Sequence, residues 1–255
     1  MNKIAQIITQ IRSQSPLVHN ITNYVVMNNT ANALLAVGAS PIMAHAIEEV
    51  EDMVNISAAL VINMGTLSEK WVASMLLAAK KAKASDTPFV FDPVGVGAST
   101  YRTETAQKIV ASATPTVIRG NASEIMAMAK LTQSTKGVDS TMATKDAVEG
   151  GKQLSKQLGN TIVISGTEDF IITGEQVSRI ANGSPLMAKV TGMGCTATAI
   201  VGACLGVTSD THQAAVAAMA IMGIAGDMAA AISKGSGSFQ MNFLDSLHQL
   251  SAEMI

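Results

Sequence analysis

The chain has 255 residues, of which 48% are hydrophobic and only 14% charged, so it can bury enough apolar surface to offset the entropy of ordering, and disorder as its main state is excluded. With 17 Lys and Arg against 19 Asp and Glu the formal charge is -2; no basic stripe can neutralise a phosphate backbone, which excludes a general nucleic-acid binder. A surface so short of charge is expected to be covered in part by sister subunits.

Near the start, Ile4, Ile7, Ile8 and Ile11 fall at helical spacing with Lys3 and Arg12 among them. This predicts an amphipathic helix and leaves no unbroken apolar run for a secretory leader, so a reduced, cytoplasmic setting is expected. The polar cluster His19-Asn20-Ile21-Thr22-Asn23-Tyr24 then separates this helix from an apolar one. From residue 40 onward, short β-branched runs at 41–44, 59–64, 89–92, 116–119 and 161–165 alternate with amphipathic segments such as 47–57 and 67–84. Strands that are apolar throughout and separated by helices belong to a parallel sheet buried on both faces. The fold class is therefore α/β: a three-layer α/β/α arrangement with a mostly parallel central sheet, whose length suits one domain spanning 1–255.

The polar stretch 137–144 reads as a loose surface loop. Two short strand candidates, 170–173 and 176–181, joined by Gly174-Glu175, form a hairpin at the sheet edge. After Gly192 the pattern is purely helical. The stretch 190–209 carries no charge, but it is rich in Gly and Thr and poor in Leu, Ile and Phe; it reads as a buried helix and not as a membrane span, so no membrane partner is expected. Cys195 and Cys204 lie on opposite faces of that helix and cannot pair within it.

Four segments can carry chemistry. Val190-Thr191-Gly192-Met193-Gly194-Cys195-Thr196-Ala197 places two glycines in a tight turn that opens a long uncharged helix, so its backbone amides can cradle an anion at the positive end of the helix dipole. On spacing alone it also fits a plain glycine-rich helix start around a small buried thiol. The same residues match the dinucleotide fingerprint G-x-G-x-x-A, but no strand with an acidic end follows. In Phe91-Asp92-Pro93-Val94-Gly95-Val96-Gly97 a strand ends in a carboxylate before a glycine-rich loop, suited to Mg²⁺ held through water or, more plainly, to capping the turn. Arg119-Gly120-Asn121-Ala122-Ser123-Glu124 offers a cation for phosphate and a carboxylate for metal, or a surface ion pair. The fourth segment is the 19–24 cluster, suited to a small heterocycle, although turn-forming asparagines explain it nearly as well. His19, His45, His212 and His248 show no metal spacing, and no G-x-x-x-x-G-K-[ST] loop is present.

Taken together, the chain resembles the hydroxyethylthiazole kinase family of the ribokinase-like superfamily. The resemblance is carried by P-L-V-H-N-I-T-N at 16–23, N-x-T-A-N-x-L-L-A-x-G-A-S-P-I-M at 28–43, N-M-G-T-L at 63–67, D-P-V-G-V-G-A-S at 92–99, R-G-N-A-S-E-I at 119–125 and V-T-G-M-G-C at 190–195. Cys195, where most superfamily relatives carry aspartate, separates this family from sugar and pyridoxine kinases. The resemblance implies transfer of the ATP γ-phosphoryl group to the hydroxyl of 4-methyl-5-(2-hydroxyethyl)thiazole, a salvage step toward thiamine. It implies that the amides of Met43 and Gly192, with Asn23, contact the thiazole alcohol, that Arg119 and Ser165 contact ATP, and that Asp92 and Glu124 organise Mg²⁺. Met193, Gly194 and Cys195 would form the catalytic turn, with Cys195 orienting the substrate hydroxyl and available to accept its proton. The family usually has a small residue where Met193 stands. It also implies a homotrimer with sites at subunit boundaries. Rival readings are another ATP-dependent enzyme of the same superfamily, a binding regulator that has lost catalysis, and a hydrolase using Cys195 as nucleophile.

Overall fold

The computed structural model describes residues 3–132 and 144–255; the polar stretch 137–144 lies, save for its last residue, outside them. Eight strands form one sheet in the order β2-β1-β3-β4-β5-β6-β7-β8. They are β1 (Leu17–Ile21), β2 (Ser40–Ile42), β3 (Ala59–Asn63), β4 (Phe89–Asp92), β5 (Val117–Asn121), β6 (Thr161–Ser165), β7 (Asp169–Thr173) and β8 (Gln176–Ile180). Neighbours from β2 to β6 pair in parallel, and β7 and β8 add an antiparallel hairpin at the edge. The helices are α1 (Lys3–Gln14), α2 (Met27–Val37), α3 (Val50–Ile56), α4 (Glu69–Ala84), α5 (Thr100–Ser112), α6 (Ala122–Thr132), α7 (Thr144–Leu158), α8 (Met193–Leu205), α9 (Thr211–Ile232) and α10 (Ser236–Gln249).

The period-2 alternation of the strands divides the core in two. Val18, Ala59, Val61, Val90 and Val163 face a layer made by α1, α2, α8, α9 and α10. Leu60, Ile62, Phe89, Phe91, Ile162 and Ile164 face the layer made by α3 to α7. Small side chains on the first face let α8 lie close to the sheet: a Cβ at Gly202 would fall 2.8 Å from Val61 Cγ2 and 3.2 Å from Val18 Cγ1. The Ala, Gly and Thr content of the uncharged stretch thus has a packing cause, and Cys204 is buried there. Helix α9 is long and apolar enough to cross a membrane, but 67% of its apolar window is buried inside the molecule.

The structure departs from the sequence reading mainly at the start of the sheet. Residues 17–21, the last three of them in the polar cluster at 19–24, form the strand β1, second from the edge. His19 and Asn20 are fully enclosed there. Each finds a backbone partner: His19 Nε2 meets Ala44 O at 2.8 Å, and Asn20 Nδ2 donates to Val18 O at 2.9 Å. One hydrogen bond each lowers the cost of their burial, although His19 Nδ1 and Asn20 Oδ1 stay without a partner among the described residues. Strand β2 also starts one residue earlier than the β-branched run suggests and stops at Ile42, where its pairing with β1 ends.

Candidate active site

Every strongly indicated side chain stands at a carboxyl end of the parallel strands, where ligands sit in open α/β sheets. Asn23 follows β1, Asn63 and Asp92 close β3 and β4, Arg119 and Ser165 lie near the ends of β5 and β6, and α8 begins above them. A hydrogen-bonded chain runs across these ends. Asn23 Nδ2 donates to Asn63 Oδ1 at 2.8 Å and reaches Cys195 Sγ at 3.5 Å. Asn63 Nδ2 donates to Asp92 Oδ2 at 2.8 Å, and Thr198 Oγ1 donates to the same oxygen at 2.7 Å. Arg119 Nη1 stands 3.7 Å from that oxygen, and its Nη2 donates to Ser165 Oγ. Asp92 Oδ1, by contrast, is buried without a partner among the described residues.

Two glycines stand at the start of α8 for different reasons. Gly192 caps the helix at φ +86°, and a Cβ there would meet Val26 Cγ1 at 2.7 Å. At Gly194 a Cβ would fall 2.6 Å from Arg119 Nη1 and 2.9 Å from Nη2. The guanidinium therefore packs against the first turn of α8. Met193 is buried with its side chain turned into the core shared with α9 and α10, so the unusual residue at this position leaves the amide turn in place.

Charge at the site follows from enclosure. Burial pushes the Asp92 carboxyl from an ordinary 3.8 up to about 6, with Arg119 and the Thr198 hydrogen bond pulling against it. Burial also raises the Cys195 thiol, the Asp92 charge raises it further, and hydrogen bonds from Asn63 and Asn23 recover only part. The thiol is thus protonated near neutrality. Its neighbours are amides and not an imidazole, which removes the activation that a cysteine nucleophile needs.

Glu124 accepts hydrogen bonds from two backbone amides. Its Oε1 accepts from Gly95 N and its Oε2 from Asn121 N, both at 2.8 Å, so it ties the 93–97 loop to the start of α6. Each carboxylate oxygen keeps a second lone pair, and Glu124 acts on Asp92 through its charge. Among the described residues no three His, Cys, Asp or Glu side chains converge. One enclosed, unpartnered carboxylate oxygen with a second carboxylate nearby fits Mg²⁺, which takes few protein ligands and completes its shell with water and phosphate. Met43, half-buried, follows the carboxyl end of edge strand β2, at the same end of the sheet as Asn23 but outside the hydrogen-bonded chain.

Three residues escaped the sequence reading. Arg102 donates to Met64 O at 2.7 Å, Gly65 O at 2.8 Å and Val94 O at 2.6 Å, stapling the loops after β3 and β4 that flank Asp92. Asn63 lay inside a recognised motif without a role, and Thr198 carries one faint signal, its position one helical turn beyond Gly194. Beside this constellation opens a cleft of about 710 Å³. Its lining combines polar groups such as Arg119, Ser165, Asp169 and Lys189 with apolar ones such as Met219 and Met222. A cavity of about 610 Å³ at the amino ends of β3–β5, lined by Ala58, Pro88, Thr116 and Gly206, touches none of these residues.

Comparison with known proteins agrees in kind. A family model described as the hydroxyethylthiazole kinase family matches residues 8–253. A protein of Leptospira biflexa named hydroxyethylthiazole kinase is 58% identical over 245 residues, covering 96% of this chain and 92% of that protein. The solved structure of a hydroxyethylthiazole kinase protein from Pyrococcus horikoshii OT3 superposes with a TM-score of 0.92 at 36% identity, covering 100% of this chain and 96% of the other. A ribokinase-like superfamily protein of Enterococcus faecalis shares the fold alone, with a TM-score of 0.69 at 13% identity over 94% of this chain and 89% of its own.

Proposed function

This chain belongs to the hydroxyethylthiazole kinase family and is a kinase of thiamine salvage, and we propose that its cleft delivers the γ-phosphoryl group of ATP to the hydroxyl of 4-methyl-5-(2-hydroxyethyl)thiazole held beside Asn23, Met43 and the first turn of α8. The observation that carries the residue roles is the Arg119 guanidinium lying against Gly194 and donating to Ser165 in a cleft sized for a nucleotide. Arg119 and Ser165 hold the phosphates, the apolar lining takes the base, and the amides of Gly192 to Cys195 face the charge that develops on the transferring group. Asp92 and Glu124 would hold Mg²⁺ partly through water, and the ion when bound neutralises charge on the β- and γ-phosphates.

Phosphoryl transfer passes through a loose transition state and depends mainly on positioning, so no strong base is required. A thiol kept protonated by burial suits orienting the acceptor hydroxyl and not taking its proton. Turnover of Cys195→Ser is accordingly expected to fall by about tenfold, the scale of one weak neutral contact. A folded Cys195→Ser enzyme as inactive as a Gly194→Val one would show that the thiol does more than orient.

The chain is proposed to work as one ribokinase-like domain in a homotrimer. Exposed Tyr24, Val25, Leu35 and Ile47, on segments flanking β1 and β2, supply apolar surface for such an assembly. Two free thiols suit a reducing cytoplasmic setting. The deciding experiment is ADP release in the presence of ATP and Mg²⁺ with the thiazole alcohol, pyridoxal, hydroxymethylpyrimidine or ribose. Release with the thiazole alone supports the reading. Release with pyridoxal or the pyrimidine instead would make it another kinase of the superfamily, and none from protein that binds ADP would leave a regulator.

A further inference from the structure

The Asp92 carboxylate is held asymmetrically. Its Oδ2 gathers the Asn63 amide, the Thr198 hydroxyl and, at longer range, the Arg119 guanidinium, while its Oδ1 has no partner among the described residues. An enclosed carboxylate oxygen without a donor is costly unless something binds it. The two short bonds come from side chains that are themselves enclosed, Asn63 at 1% and Thr198 at 0% exposure. Neither can turn away. Asn63 Oδ1 is fixed by Asn23 Nδ2 and by Gly65 N at 2.9 Å, which orients its amide so that Nδ2 must face Asp92. The Thr198 hydroxyl has a single proton, and of its two acceptors, Asp92 Oδ2 at 2.7 Å and Gly194 O at 3.2 Å, the charged one is nearer.

We propose that Asn63 and Thr198 are positioning residues that lock Asp92 through Oδ2 and so leave Oδ1 as the carboxylate atom that meets the metal–nucleotide pair. Neither residue touches the reacting atoms. Asn63 also links this lock to the acceptor side, since it bonds Asn23, the Gly65 amide and the Cys195 thiol as well. The proposal rests on the kinase reading for what Oδ1 meets, and on the geometry alone for the lock.

The test compares Thr198→Val, which keeps the shape and removes the hydroxyl, with Thr198→Ser, which keeps the hydroxyl, and adds Asn63→Ala. Two quantities are read: ADP affinity with and without Mg²⁺ by calorimetry, and kcat with both KM values. In Thr198→Val the gain in ADP affinity that Mg²⁺ brings is expected to shrink about tenfold, and kcat to fall about 10- to 100-fold, the scale of one charge-assisted hydrogen bond. Metal-free ADP affinity and both KM values should stay within about threefold, because the rest of the cleft is untouched. Thr198→Ser should restore wild-type behaviour, and Asn63→Ala should repeat the loss of the Mg²⁺ gain at unchanged metal-free ADP affinity, with the thiazole KM rising besides because Asn63 also holds Asn23 and the Cys195 thiol, so a Thr198→Val protein that failed to fold would not remove the test. An unchanged Mg²⁺ gain, a uniform fall of every constant, or a serine variant as damaged as the valine one would overturn the lock. A wild-type protein that shows the Mg²⁺ gain and loses it in Thr198→Val, yet phosphorylates no thiazole alcohol, would keep this inference and sink the substrate assignment. Absence of any Mg²⁺ gain in an active wild type would do the reverse.

Discussion

Gly194→Ala is expected to fold normally and to lose turnover by about 100- to 1,000-fold, the scale found when one preorganised donor to a developing charge is removed. Gly194 does not occupy the left-handed region, unlike Gly192, so its backbone accepts a side chain. Alanine is also the better helix former by about 1 kcal/mol. The added methyl meets only the tip of Arg119, which can swing aside without moving the helix. That swing is the damage, because it takes the guanidinium off the first turn of α8 and away from Ser165 and Asp92. Melting temperature, ADP affinity and kcat measured on one preparation would separate the two consequences. A kcat within fivefold of wild type would mean that Arg119 has no fixed catalytic position; a large fall in melting temperature would mean that the glycine serves packing.

Legibility of the chain tracks how local its determinants are. Strands β3, β4 and β6 were readable because each is enclosed on both faces and so apolar in sequence. Strand β1 was not, since the partners that make His19 and Asn20 tolerable inside the sheet are backbone carbonyls, one of them 25 residues away. The same holds in the site. Asp92, Arg119 and the 192–195 turn each sit where a strand ends or a helix begins, a position that pattern alone identifies, whereas Ser165 is indicated only by the family resemblance. Asn63, Thr198 and Arg102 act through partners that no pattern reports: Thr198 and Asp92 are 106 positions apart, Arg102 and Met64 38. Glu124 shows the converse. Its residue type and place were legible, but the two amides that occupy its oxygens come from a loop and a strand end that only the fold brings together.

Asp92→Asn should then separate stability from activity more sharply than any other single change. The carboxyl sits at about 6 in the folded protein against an ordinary 3.8, chiefly because it is buried. A raised carboxylate pKa means that the folded state prefers the protonated form, so this group costs stability as pH rises from the unfolded value through the folded one, about 3 kcal/mol once both are passed. An asparagine carries no charge, and its oxygen can take the Oδ2 place to accept from Asn63 and Thr198. Its NH₂ then falls where Oδ1 was, unpaired, and takes back part of the gain. The variant is expected to be more stable than wild type by about 1–2 kcal/mol at pH 8, with the margin narrowing by roughly 2.5 kcal/mol and reversing by pH 4, read by urea unfolding without nucleotide or Mg²⁺. Its turnover should fall by about 1,000-fold or more, since the enclosed charge that costs the fold is what the phosphoryl side of the reaction uses. A stability difference that stays constant from pH 4 to pH 8 would show that Asp92 is not the buried, strained charge argued for. A variant that keeps near-wild-type turnover would remove Asp92 from the reaction altogether, leaving Arg119 and the α8 amides to carry it.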